Sequence, residues 1–114
     1  MELWHNPRCS KSRQAKELLD DRGVEYTERR YLEDPPTAAE LDAALTGMGK
    51  EPWEAARLGE DVAKDLGLKG WDHDRAKWLD AMVANPVLIE RPVLVADDGR
   101  AALGRPPEDI LTLL

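Results

Sequence analysis

The chain has 114 residues, the length of one compact domain, and 42% of them are hydrophobic, enough for a core although Phe is absent. With 23 Asp and Glu against 16 Lys and Arg, the formal net charge of -7 excludes the broad basic face of a general nucleic-acid binder, but not a local anion site. The single Cys excludes an internal disulfide and a Cys-rich metal centre, no segment has the apolar length of a membrane span, and the opening Met-Glu-Leu-Trp-His is unlike a signal peptide, so a cytoplasmic location is expected.

Leu3 and Trp4 form a short apolar run that reads as a buried strand, stopped at His5-Asn6-Pro7 because proline cannot donate in a sheet. A helix is expected from about Ser10 to Arg22, with Ala15, Leu18 and Leu19 on its apolar face and Gly23 as its stop. Val24 to Leu32 reads as a second strand, with Val24 and Tyr26 on one face, closed by Pro35-Pro36. Thr37 followed three residues later by Glu40 is a capping-box pattern. Leu41, Ala44, Leu45 and Met48 then recur at helical spacing. Trp53 to Leu66 reads as one or two short helices, weakened at Gly59. Asp74 can cap a further helix through Ala84, with Trp78, Leu79, Met82 and Val83 facing inward.

Pro92-Val93-Leu94-Val95-Ala96 is a candidate buried strand, Asp98-Gly99 a hairpin turn signal, and Ala101 to Leu103 the returning strand. Pro107 opens a last helix through Leu114, with Ile110, Leu111 and Leu114 apolar. The order reduces to β-α-β, a helical insertion at about 37–85, then β-β-α. That is a thioredoxin-like α/β fold with a mixed four-stranded sheet, expected as one domain over residues 1–114.

Cys9 falls where the first strand gives way to the first helix. Unpaired N–H groups at a helix start favour negative charge, including that of a thiolate. Arg8, Lys11 and Arg13 add cations close by, and apolar core cysteines rarely carry such neighbours. The residues therefore favour a low-pKa nucleophile over a buried structural Cys. A phosphatase-type loop would place Arg where Ala15 stands, and a dithiol motif would place Cys where Ser12 stands. His5 and His73 lack partners for a metal site, so no metal is expected. The site reads as monothiol, suited to a mixed disulfide with an external thiol or to attack on a small oxidant.

The run His5-Asn6-Pro7-Arg8-Cys9-Ser10-Lys11-Ser12-Arg13 resembles the signature loop of the glutaredoxin-coupled arsenate reductases of the ArsC type. The runs Arg91-Pro92-Val93-Leu94-Val95 and Gly104-Arg105-Pro106-Pro107-Glu108 are similar to that family's two later motifs, in the same order. The wording of the loops is most similar to the short YfgD-like branch. The resemblance implies Cys9 as nucleophile and His5 as a residue that orients or activates it. It also implies Arg57, Arg91 and Arg105 as the oxyanion-binding arginines. Arg8, Ser10, Lys11, Ser12, Arg13 and Pro92 would support the site, Pro92 through a cis bond.

The activity so implied is reduction of arsenate to arsenite through a Cys9 adduct. No bound cofactor is expected. Glutathione or an equivalent thiol would be co-substrate, a glutaredoxin-like protein the partner, and the enzyme a monomer without nucleic-acid or membrane partners. Ser10-Lys11 departs from the family's usual Gly-Thr, and the chain stops soon after its last helix. Both leave room for another oxyanion or a disulfide as substrate. A non-catalytic transcriptional regulator of the Spx type shares this scaffold, but its Cys-x-x-Cys switch is broken here by Ser12.

Overall fold

In a computed structural model that describes all residues from Met1 to Leu114, four short strands form one sheet. They are β1 (Glu2–Trp4), β2 (Thr27–Arg29), β3 (Val93–Val95) and β4 (Ala101–Leu103), in the order β2-β1-β3-β4. β1 runs parallel to β2 and antiparallel to β3, and β3 pairs antiparallel with β4. The mixed four-stranded α/β arrangement expected from the sequence is therefore present.

Alternation along the strands divides the core in two, because successive side chains leave a strand on opposite faces. Leu3, Leu94 and Ala102 face one way and meet Ala15 and Leu19 of α1 (Ser10–Asp21), together with Ile110 and Leu113. Trp4, Val93 and Ala101 face the other way and meet the inserted elements. These include α2 (Ala38–Gly47), α3 (Asp61–Leu66) and α4 (Arg75–Ala84), all lying between β2 and β3.

The helix starts follow the sequence closely. Thr37 accepts the Glu40 N–H at 3.1 Å while the Glu40 carboxylate accepts the Thr37 N–H at 3.0 Å, completing the capping box of α2. Asp74 caps α4 by accepting the Lys77 N–H at 3.3 Å. Trp78, Leu79 and Met82 are buried as their spacing predicts.

Two elements differ from the expectation. The second strand spans only Thr27–Arg29 rather than Val24 to Leu32. Its neighbour β1 offers three residues for pairing, and Val24 and Tyr26 pack instead beside the α1 face of the core. The last helix is 3₁₀ in form over Pro107–Leu113. Its buried residues are Pro107, Ile110 and Leu113, a repeat of three that suits three residues per turn and leaves Leu114 exposed. The Trp53 to Leu66 segment resolves into a 3₁₀ turn at Pro52–Glu54, an isolated bridge at Ala56, and α3.

No helix is long and apolar enough to cross a membrane.

Candidate active site

The site gathers segments from both halves of the chain at the N-terminal end of α1. Cys9 is the N-cap residue of that helix, in extended conformation and part-buried. Its own N–H donates to the Asn6 carbonyl at 3.0 Å, so the loop leading to the helix closes into a turn. Burial pushes the thiol's pKa up. The backbone N–H of Ser12, the facing Arg91 guanidinium and the backbone N–H of Lys11 outweigh that push, and the net position is below the ordinary thiol value.

The sequence assigned this tuning to the helix start together with the cations of Arg8, Lys11 and Arg13. The helix-start N–H groups do act on the sulfur, but the facing guanidinium is that of Arg91: Lys11 acts through its main chain, Arg8 is exposed, and Arg13 donates to the Pro7 carbonyl at 3.0 Å. Ser10, also exposed, is the first residue of the helix.

His5 and Ser12 form the floor of the loop. Both are buried, and the Ser12 Oγ lies 2.7 Å from His5 Nδ1. The same oxygen accepts the Asn6 N–H at 3.0 Å. A buried hydroxyl needs an acceptor for its own proton, and Nδ1 of a neutral ring supplies one. Burial is the main cause of a His5 pKa below the ordinary value; the charges of Lys16, Arg30 and Arg13 add to it, and Glu28 opposes it. No hydrogen bond joins His5 to the sulfur. The histidine holds the loop through Ser12, and Ser12 occupies the place of a second thiol.

Glu90 joins two of the three arginines, Arg57 and Arg105. Arg57 Nη1 donates to Glu90 Oε1 at 2.7 Å, and Arg105 Nε lies 3.0 Å from the same oxygen. Arg57 Nε also donates to Glu60 at 3.0 Å, and Arg105 Nε to the Arg91 carbonyl at 2.9 Å. Main-chain bonds tie the insertion to this segment: Arg57 N–H donates to the Leu88 carbonyl at 2.7 Å and Glu90 N–H to the Ala55 carbonyl at 2.9 Å, flanking an antiparallel bridge between Ala56 and Ile89. A recess lined by Ala56, Arg57, Leu58, Gly59, Glu60 and Glu90 opens here.

Arg91 has no carboxylate partner, and its Nε is buried without any hydrogen-bond partner. The Arg91-Pro92 bond is cis, as expected, and Arg105-Pro106 is cis as well. Gly104 N–H donates to the Pro92 carbonyl at 2.8 Å. A Cβ at Gly104 would come within 2.6 Å of Pro92 Cγ, so only glycine lets the two motifs touch.

Two residues of the site were not singled out from the sequence. Glu90 was visible as a second charge beside Arg91 in an otherwise apolar run. Tyr31, 1% exposed, lies just past β2, within the electrostatic reach of Arg91, Cys9 and Arg57. Nothing in its local sequence signals that position. No group of His, Cys, Asp and Glu residues that could hold a metal ion is present.

Comparison with known proteins identifies the family. Residues 4–113 match the model of the ArsC family. An arsenate reductase of Neisseria meningitidis is 39% identical over 115 residues, covering 100% of this chain and 97% of that protein. The protein YfgD of Escherichia coli is 43% identical over 115 residues, covering 100% of this chain and 96% of its own. The solved structure of an arsenate reductase from Vibrio cholerae superposes with a TM-score of 0.92 at 37% identity, over 100% of this chain and 98% of that one. The chain belongs to the ArsC family and has its thioredoxin-like fold.

Proposed function

We propose that this protein is a thiol-dependent oxidoreductase that reduces arsenate to arsenite, with Cys9 as nucleophile. The observation that carries the reading is a thiol held below its ordinary pKa by a helix start and by Arg91, a guanidinium with no carboxylate of its own. A thiolate beside an unpaired guanidinium binds an anion and attacks it without a further activating base.

The Cys9 thiolate forms a bond to arsenic, and one arsenate oxygen leaves as water after taking up two protons. Glutathione thiolate then attacks the Cys9 sulfur. The sulfur–arsenic bond breaks, its electron pair stays on arsenic, and arsenite departs. Cys9 is left in a mixed disulfide, which a glutaredoxin thiol attacks to restore the thiolate. Ser12 cannot form an internal disulfide, so the second thiol must come from outside. Arg91 stabilises the charge on the attacked anion, and Arg57 and Arg105 bind its outer oxygens once Glu90 releases them. His5 is a positioning residue that acts through Ser12.

The Glu90 carboxylate already satisfies Arg57 and Arg105. That favours, as a second reading, a substrate needing only Cys9 and Arg91, such as a mixed disulfide with glutathione. One experiment separates the two. Purified protein and Cys9→Ser are each supplied with arsenate, glutathione and glutaredoxin, and arsenite is followed. Arsenite formation by the first alone supports the arsenate reading. Arsenite from Cys9→Ser at the same rate refutes it. No arsenite, with a reactive thiol and rapid reduction of a glutathione disulfide, selects the second reading.

A further inference from the structure

The Tyr31 hydroxyl and Arg91 Nε are the two buried side-chain polar atoms in the chain that lack a hydrogen-bond partner. Tyr31 and Arg91 lie within electrostatic reach of each other. The Tyr31 phenol feels the charges of Arg91, Cys9 and Arg57, and Arg91 faces the Cys9 sulfur. Burying a hydroxyl without a partner costs free energy, and Phe would fill the same ring-shaped space without that cost. Folding alone gives no reason for the oxygen to be there.

The groups around the hydroxyl identify what is missing. Arg91 and Arg57 are donors only. The Asn6 carboxamide lies beside the phenol, but its oxygen already accepts the Arg8 N–H at 3.0 Å, so it has N–H groups left to offer. The Cys9 sulfur accepts from the Ser12 and Lys11 N–H groups and faces the Arg91 guanidinium, but the phenol makes no hydrogen bond to it. Burial is the main reason the phenol's pKa stands up at about 12, so the proton stays on the oxygen through the neutral range. Around the hydroxyl, donors outnumber the acceptors still free to take its proton.

Building on the oxyanion-reductase reading, we propose that Tyr31 O–H and Arg91 Nε donate to one oxygen of a tetrahedral oxyanion bonded to Cys9. An oxygen on the atom attached to sulfur lies two bonds beyond the sulfur, which supplies the acceptor the thiol itself does not. Both donors are closed to solvent, whereas Cys9 is part-exposed. The contact therefore forms as the anion joins the sulfur, not in the first encounter. It stabilises the adduct and the transition state leading to it more than the initial complex. Tyr31 is thus assigned as an oxyanion-binding residue that raises kcat.

The test is Tyr31→Phe, measured by thermal unfolding, by the rate of Cys9 alkylation, and by arsenate kinetics with glutathione and glutaredoxin. The expected results are a Tm equal to or above that of the parent, alkylation unchanged within about twofold, KM unchanged within about threefold, and kcat lower by about ten- to a hundredfold, as loss of a bond to a charged group requires. A lower Tm overturns the assignment, because it would reveal a structural partner for the hydroxyl. An unchanged kcat with active parent protein overturns it while leaving the oxyanion reading intact. A parent protein that forms no arsenite overturns both.

Discussion

Replacing Glu90 by Gln should strengthen oxyanion binding while weakening the anion-free protein. Glu90 Oε1 lies 2.7 Å from Arg57 Nη1 and 3.0 Å from Arg105 Nε. With charge centres about 4 Å apart and an effective dielectric of about 20, each pair attracts by about 4 kcal/mol before solvation. The three side chains are 22%, 25% and 33% exposed, so water returns much of that when the pair separates. A net loss of about 1–2 kcal/mol is expected in the free variant. An incoming anion no longer has to displace the carboxylate, so its affinity should rise by the corresponding factor of about 5–30. Calorimetric titration with arsenate at fixed low ionic strength measures the gain, and urea unfolding measures the loss. Unchanged or weaker binding in Glu90→Gln would refute the reasoning, and would mean that Glu90 presents the two guanidiniums to the anion instead of occupying them.

Arg91→Met should move the pH midpoint of Cys9 alkylation upward, because the facing guanidinium is lost while burial of the thiol remains; an unmoved midpoint would assign the low pKa to the helix start alone. His5 makes stability depend on acidity: its folded pKa lies below the ordinary value of about 6.5, so the unfolded chain takes up the proton first as pH falls. Its contribution is complete above about 6.5 and declines below it, and urea midpoints at two pH values should fall more steeply for the parent than for His5→Gln.

The parts of the fold that were legible are those set by local chemistry. Thr37 with Glu40, and Asp74 before Trp78 and Leu79, mark helix starts because capping is decided within a few residues. Asp98-Gly99 marks the hairpin because Gly99 must take a positive φ, which is 91° here. The second strand was overextended because its length is set by a partner: β1 offers only Glu2 to Trp4 for pairing. The last helix was read with the wrong period. Ile110, Leu111 and Leu114 suit an α-helix on paper, but packing against the sheet selects Pro107, Ile110 and Leu113.

The arginines show where local reading stops. Arg57, Arg91 and Arg105 are indistinguishable as residue types, and the resemblance gave all three one role. The fold makes them unequal. A main-chain bridge from Ala56 to Ile89 brings Arg57 up to Glu90, and the contact of Gly104 with Pro92 brings Arg105 to the same carboxylate. Arg91, next in sequence to Glu90, is turned away from it towards Cys9 and the unpaired Tyr31 hydroxyl. The site therefore has an inner half whose donors outnumber its free acceptors, and an outer half whose donors are already engaged. An oxyanion meets both in order: the oxygen nearest the sulfur completes bonds that nothing else in the protein completes, and the outer oxygens must compete with Glu90. In the proposed reaction, selectivity among anions is therefore expected to rest on their competition with Glu90, and reactivity on the thiol with Arg91 and Tyr31.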